Sequence, residues 1–174
     1  MDLFEEYLNK KETSEWVKRA LTDRSYKASK SRGIKKNNPD YEEANNLKTN
    51  TDLATYGDAL IKFIYSGILL DDNVEQLTKE KEKYESDRVF VIKIARHYDL
   101  IKYINFDKND TRIPKNYNYD NHKGKNNNPH KYIATAVEAM IGAIYKEISK
   151  ESIDKAINNL TELLRAWIKI CNEE

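Results

Sequence analysis

An all-α fold is predicted by three observations. Proline and glycine are scarce, 3 and 5 residues in a chain of 174, so little interrupts a helix. Apolar residues recur at steps of three and four along most of the sequence, the period of an amphipathic helix. Two stretches, residues 51–70 and 132–145, are apolar enough to be helices at the centre of a domain. At this length one domain with a real core is expected over residues 1–174.

Composition narrows the setting more than the partner. Lys plus Arg is 30 and Asp plus Glu is 29, so net charge argues neither for nor against a polyanion. The single cysteine, Cys171, gives no disulfide framework and fits a reducing, cytoplasmic setting. The opening MDLFEEYLNKK has neither the basic start nor the apolar run of a signal peptide. No segment approaches the roughly 20 apolar residues of a membrane span, so no membrane association is expected.

The elements follow in order. Leu3, Phe4, Tyr7 and Leu8, then Trp16, Val17, Ala20 and Leu21, fall at helical steps, with Thr13 or Ser14 as cap and Glu15 near the positive end of the second helix. Trp16, among apolar neighbours, reads as a core anchor. From Lys18 to Lys36 there are 8 basic residues and 1 acid, Asp23, the most basic surface in the sequence. Residues 29–49, polar and Asn-rich with Gly33 and Pro39, read as a long loop. After the apolar helix of residues 51–70, residues 71–86 make a charged helix with a solvent face. Ser86-Asp87 then caps a helix whose core residues are Val89, Phe90, Ile92, Ile94 and Ala95. His97 reads as a helix-end residue. Residues 105–129 form a second long loop, either a nucleic-acid-binding arm, with tyrosines 117 and 119 among its cations, or a disordered Asn/Lys-rich surface segment. Ile153, Ala156, Ile157, Leu160, Leu164, Trp167 and Cys171 mark a closing amphipathic helix.

Two acids stand out. In residues 51–70 the positions Leu53, Tyr56, Leu60, Phe63 and Gly67 trace one apolar face, and Asp58 sits in the middle of the helix. An unpaired carboxylate is costly to bury, so Asp58 is expected to face a cleft, a partner or a metal ion. Residues 132–145 carry one charge, Glu138. A glycine lies near each acid, Gly57 and Gly142, which suggests a close crossing of the two helices with both acids sharing something positive. Two unrelated polar contacts are the alternative.

Taken in order, four blocks resemble the ribonuclease III family. Residues 50–59, NTDLATYGDA, match the family's signature helix Asn-Glu-Arg-Leu-Glu-Phe-Leu-Gly-Asp-Ala, and residues 20–26, ALTDRSY, match Ala-Leu-Thr-His-Arg-Ser-Tyr with one change. Leu77-Thr78 through Ala95, with Ser86-Asp87 at a helix start, is similar to the family's Leu-Thr, basic helix and Ser-Asn start. Residues 134–145, ATAVEAMIGAIY, match Ala-Asp-x-Val-Glu-Ala-x-Ile-Gly-Ala-Ile-Tyr. The match is strongest over residues 20–147 and implies a ribonuclease III-like helical endonuclease domain.

The resemblance also implies a site, and the departures fall on it. Asp58 and Glu138 match two of the family's four metal-binding acids; the other two positions are Ala54 and Thr135. A further family Glu is Thr51, and Asp52 is rotated away from the acid-bearing face. The implied cofactor is Mg²⁺, with Mn²⁺ as a substitute, bound weakly by Asp58 and Glu138. The implied partner is structured or double-stranded RNA, with cleavage impaired or lost, or else retained on a reduced ligand set. Loop acids Asp40, Glu42 and Glu43 are candidates to replace a lost ligand. Candidate RNA contacts are Lys27, Lys30, Arg32, Lys35 and Lys36, with Lys115, Lys123 and Lys125 in the second loop. No residues remain for a separate RNA-binding domain, so RNA is expected to be held by the helical domain itself or by a ribonucleoprotein partner. Family members pair through the signature helix; the usual Phe anchor is Thr55, while Tyr56, Phe63, Ile64 and Ile68 leave apolar material for a homodimer.

Overall fold

Helix α5, Thr51–Asp71, crosses helix α8, His130–Ile148, and theirs is the most extensive contact between elements in the described structure. This computed structural model describes residues 1–72, 75–107, 109, 119 and 130–173. The crossing is close because neither helix has a side chain where they meet. A Cβ on Gly57 would lie 1.8 Å from the Glu138 carbonyl oxygen, and one on Gly142 would lie 2.6 Å from the Leu53 carbonyl oxygen. Helix α8 is apolar on nearly all sides, and Ile133, Ala136, Val137, Met140, Ile141 and Ile144 are fully or almost fully buried, as its sequence predicts.

The other elements wrap this pair. They are α1 (Leu3–Leu8), α2 (Glu15–Ala20), α3 (Arg24–Ser31), α4 (Pro39–Asn46), α6 (Leu77–Glu85), α7 (Asp87–Val89) running into a π-helical segment (Phe90–Ala95), a 3₁₀ turn (Leu100–Lys102), and α9 (Ile153–Asn172). Short polar side chains start several of them. Asp2 and Glu5 form a capping box on α1, Ser14 accepts from Val17 N–H at 3.2 Å on α2, and Ser86 accepts from Val89 N–H at 3.3 Å on α7. Among the described residues the fold has no strand, only an isolated parallel bridge of Thr22 with Asn105. That bridge is a clasp: Asn105 N–H donates to Leu21 C=O (2.7 Å), Asp23 N–H to Asn105 C=O (2.9 Å) and Asn50 N–H to Thr22 C=O (2.9 Å). Three segments remote in sequence are thereby joined just ahead of α5.

Several expectations are corrected. The buried stripe of α5 is Leu53, Ala54, Gly57, Ile61, Ile64, Tyr65, Ile68 and Leu69, whereas Tyr56, Phe63 and Gly67 are exposed and Leu60 is half-buried. Helix α5 is apolar on more than one face, so its period alone did not choose the inner one. Ile64 and Ile68, at 4% and 2% exposure, are core residues and offer nothing to a dimer. Trp16 is only partly buried; the aromatic anchor is Trp167, which packs on Phe4 at 5.4 Å and donates its indole N–H to Tyr98 Oη at 3.2 Å. Residues 29–49 are not one long loop. Helix α3 runs to Ser31, and α4 forms where Asn38 accepts from Asp40 N–H (3.0 Å), Pro39 opens the first turn, and Asp40 and Glu42 face the positive end of the helix. Most of the second loop lies outside the described residues, with Tyr117, Lys115, Lys123 and Lys125 among them.

By length and composition the helical run ending at Asp71 would pass for a membrane span, with mean hydropathy 1.3 over its most apolar window, yet 44% of that window is buried inside the domain. It is a core helix, with one face against α8.

The glycines separate packing from propensity. Gly57→Ala is expected to destabilise by about 3 kcal/mol or more, because a backbone carbonyl cannot step aside as a side chain can. Gly67→Ala, with nothing within 4 Å of its new methyl group, is expected to stabilise by about 0.5–1 kcal/mol. Thermal or urea unfolding of the two variants checks both signs.

Candidate functional site

Asp58 and Glu138 line one cleft of about 850 Å³, formed by α5, the end of α6, the start of α7 and the first half of α8. The glycine crossing brings the two acids together, since each is a neighbour in sequence or space of Gly57. Ala54 and Thr135 line the same cleft, one turn before Asp58 and almost one turn before Glu138. Neither supplies a carboxylate, and the Thr135 hydroxyl donates to the Lys131 carbonyl at 2.6 Å.

The opposite wall holds what the sequence reading missed. Glu82, Glu85 and Asp87 line the cleft, as do the cations Lys62 and Lys131. Lys62 Nζ is 2.8 Å from Asp58 Oδ2. That hydrogen bond raises the Lys62 ammonium above the usual lysine range, with smaller help from the charges of Glu85 and Glu138. The signal was present: Lys62 stands four residues after Asp58, on the same helix face. An exposed pair of this kind is worth only about 0.3–0.5 kcal/mol. Glu85 lies 3.9 Å from Lys81, and its Oε2 is buried with no hydrogen-bond partner. Burial, then the charges of Asp58 and Asp87, push the Glu138 carboxyl up to about 7, against the pull of Lys62 and Lys131.

The remaining candidates lie elsewhere. Asp40, Glu42 and Glu43 are exposed on α4, and none lines the acidic cleft. Asp52 turns away to pair with Arg19 at 2.9 Å. Lys27, Lys30, Arg32, Lys35 and Lys36 sit on α3 and the turn after it, also off the cleft; Arg32 pairs with buried Asp107 at 3.1 Å, and Lys30 lies over the Tyr26 ring at 5.2 Å. His97 stacks edge-on against Tyr98 at a helix end. Burial pushes the half-buried Cys171 thiol up to about 11, which leaves it unreactive at neutral pH.

Among the described residues no three acids converge closely enough to cage an ion. The hard carboxylate oxygens around the cleft nevertheless suit a hydrated Mg²⁺ that keeps most of its waters, while the proton that burial and then the acidic neighbours keep on Glu138 opposes it.

Glu138 sets a pH dependence in metal-free protein. Its carboxyl titrates near 4.5 when unfolded and about 7 when folded, so the folded state binds more protons between these values. Its contribution to stability is fully present below pH 4.5 and is lost as pH rises to about 7. Glu138→Gln is expected to remove this loss and to exceed wild type above pH 7 by on the order of 1–2 kcal/mol, after allowance for solvent screening. Urea unfolding in EDTA across this range, wild type beside the variant, reads it directly.

A family model described as "Ribonuclease III domain" matches residues 51–148, more than half of the chain. The nuclease domain of ribonuclease III from Campylobacter jejuni, solved in work on flexibility in a region involved in dimer formation, is similar in structure. The match has a TM-score of 0.57 and 22% sequence identity and covers 92% of this chain and 96% of that one. At that identity the likeness is one of fold. No curated protein matches the sequence.

Proposed function

The chain belongs to the ribonuclease III domain family, and from that premise we propose that it binds structured or double-stranded RNA and cleaves it weakly or not at all. One observation carries the reading. At the family's four acidic positions this cleft offers two carboxylates, Asp58 and Glu138, with Ala54 and Thr135 at the others, and Asp58 is already paired to Lys62 at 2.8 Å. Asp58 and Glu138 would hold Mg²⁺, or Mn²⁺ in its place, with Glu85 and Asp87 adding negative charge across the cleft. When bound, such an ion supplies Lewis acidity at the phosphate and a water of lowered pKa. Lys62 and Lys131 face the same space and suit a phosphate oxygen. Glu138 holds a proton near neutral pH that it must release before it can serve as a ligand, so ion binding is expected to tighten as pH rises through about 7.

A second reading, cleavage on a reduced ligand set, is favoured by Glu85 and Asp87, which partly restore the charge lost at Ala54 and Thr135. A labelled RNA duplex with Mg²⁺ or Mn²⁺ separates the two. The first reading expects gel-shift binding by wild type, little or no cutting, and a gain of roughly 10²-fold or more from Ala54→Glu with Thr135→Asp. Specific cutting by wild type that Asp58→Asn and Glu138→Gln each abolish would establish the second.

The outer face of α5 supports a homodimer. Tyr56, Phe63 and Leu70 stand on it at 36%, 67% and 66% exposure, with Thr55, Ala59 and Gly67 exposed between them. A single helix seldom leaves such a stripe uncovered. Phe63→Asp is expected to convert the protein to a monomer in sedimentation equilibrium that keeps its helical circular dichroism, since Phe63 supports nothing in the core, and to remove any dependence of the unfolding temperature on protein concentration.

A further inference from the structure

A second cleft, of about 500 Å³, opens between α2 and the end of α4. Its lining includes Trp16, Leu47 and Asn46 together with Lys18, Arg19 and Lys48, and the acids Glu15 and Glu43. Its volume falls in the range of small-ligand sites. Trp16 was expected in the core, yet its ring is left partly open on this cleft while Trp167 fills the interior.

One cation already lies over the ring. The Arg19 guanidinium carbon sits 5.8 Å from the Trp16 ring centroid, and Arg19 is itself fixed by Nε to the Thr49 carbonyl at 3.1 Å and by a terminal nitrogen to Asp52 at 2.9 Å. Arg19 is thus occupied, whereas Lys18 and Lys48 have no ion-pair partner among the described residues. An indole suits the face of a nucleobase, and free ammonium groups suit a phosphate. Glu15 and Glu43 oppose a run of phosphates, so the cleft fits one nucleotide and not a duplex backbone.

Position adds to composition. Lys48 lines this cleft and Thr51 lines the acidic one; three residues separate them, so their Cα atoms are at most about 11 Å apart. We infer that the cleft between α2 and α4 binds a single unpaired nucleotide, its base stacked on Trp16 and its phosphate held by Lys18 and Lys48, next to duplex lying in the acidic cleft. The location of the duplex rests on the RNA reading above; the nucleotide pocket does not.

The test uses the full chain with Ca²⁺ as the divalent cation, which can neutralise the acidic cleft without the strict octahedral geometry of Mg²⁺. Adenosine 5′-monophosphate is titrated against intrinsic tryptophan fluorescence, where buried Trp167 gives a constant background. A labelled blunt RNA duplex and the same duplex with an unpaired 3′ extension are compared by anisotropy. Saturable quenching, and binding of the extended duplex about tenfold or more tighter than the blunt one, are expected. Lys48→Glu, an exchange in a side chain that supports no packing, should abolish both while leaving blunt-duplex binding within about twofold. Trp16→Phe should preserve the preference for the extension and Trp16→Ala should lose it. Quenching without binding of either duplex would end the RNA reading and leave a site for a free nucleotide. No quenching, with equal binding of both duplexes or none, overturns the pocket.

Discussion

The approach of α5 to α8 at Gly57 and Gly142 is the constraint on which the rest depends. Where a methyl group would sit 1.8 Å from a carbonyl oxygen, there is no room for any side chain. Two backbones that close place Asp58 and Glu138 on one cleft, although 80 residues of sequence separate them. The same contact fixes which stripe of α5 is buried, and hence which is left outside. Tyr56, Phe63 and Leu70 are exposed because Gly57 and Ile61 point inward.

Charge in the acidic cleft is redistributed, not abolished. The family positions at Ala54 and Thr135 carry none, but Glu82, Glu85 and Asp87 face the gap from α6 and α7, and Lys62 reaches back to Asp58. Five carboxylates against two ammonium groups leave an excess of negative charge. Burial, with the charges of Asp58 and Asp87 behind it, lets Glu138 hold its proton to about 7. The excess is spread over α5, α6, α7 and α8 and is not gathered at one point.

Helix α4 shows how a local signal can be overridden by reading composition alone. Asparagines, a proline and a glycine suggested a loop, yet Asn38 followed by Pro39 and two early acids is a helix start. Trp16 erred in the other direction. Apolar neighbours at helical spacing placed it in the core, but α2 is only six residues long and its inner positions are taken by Val17 and Ala20. The ring is left at the rim.

What the sequence by itself determined is the helical class, the central pair of helices, a cap at Thr13 or Ser14 and another at Ser86, and the singular positions of Asp58 and Glu138. All of these are set by local period, capping chemistry or a motif within a few residues. Only the tertiary structure decided that Glu85 and Asp87 share the acids' cleft, that Ile64 and Ile68 are core, and that Trp16 and Lys48 line a common cleft. Those facts depend on how helices far apart in sequence rotate and cross. A period of 3.6 residues reports that a helix has an apolar side, but the neighbour that covers it is chosen by packing.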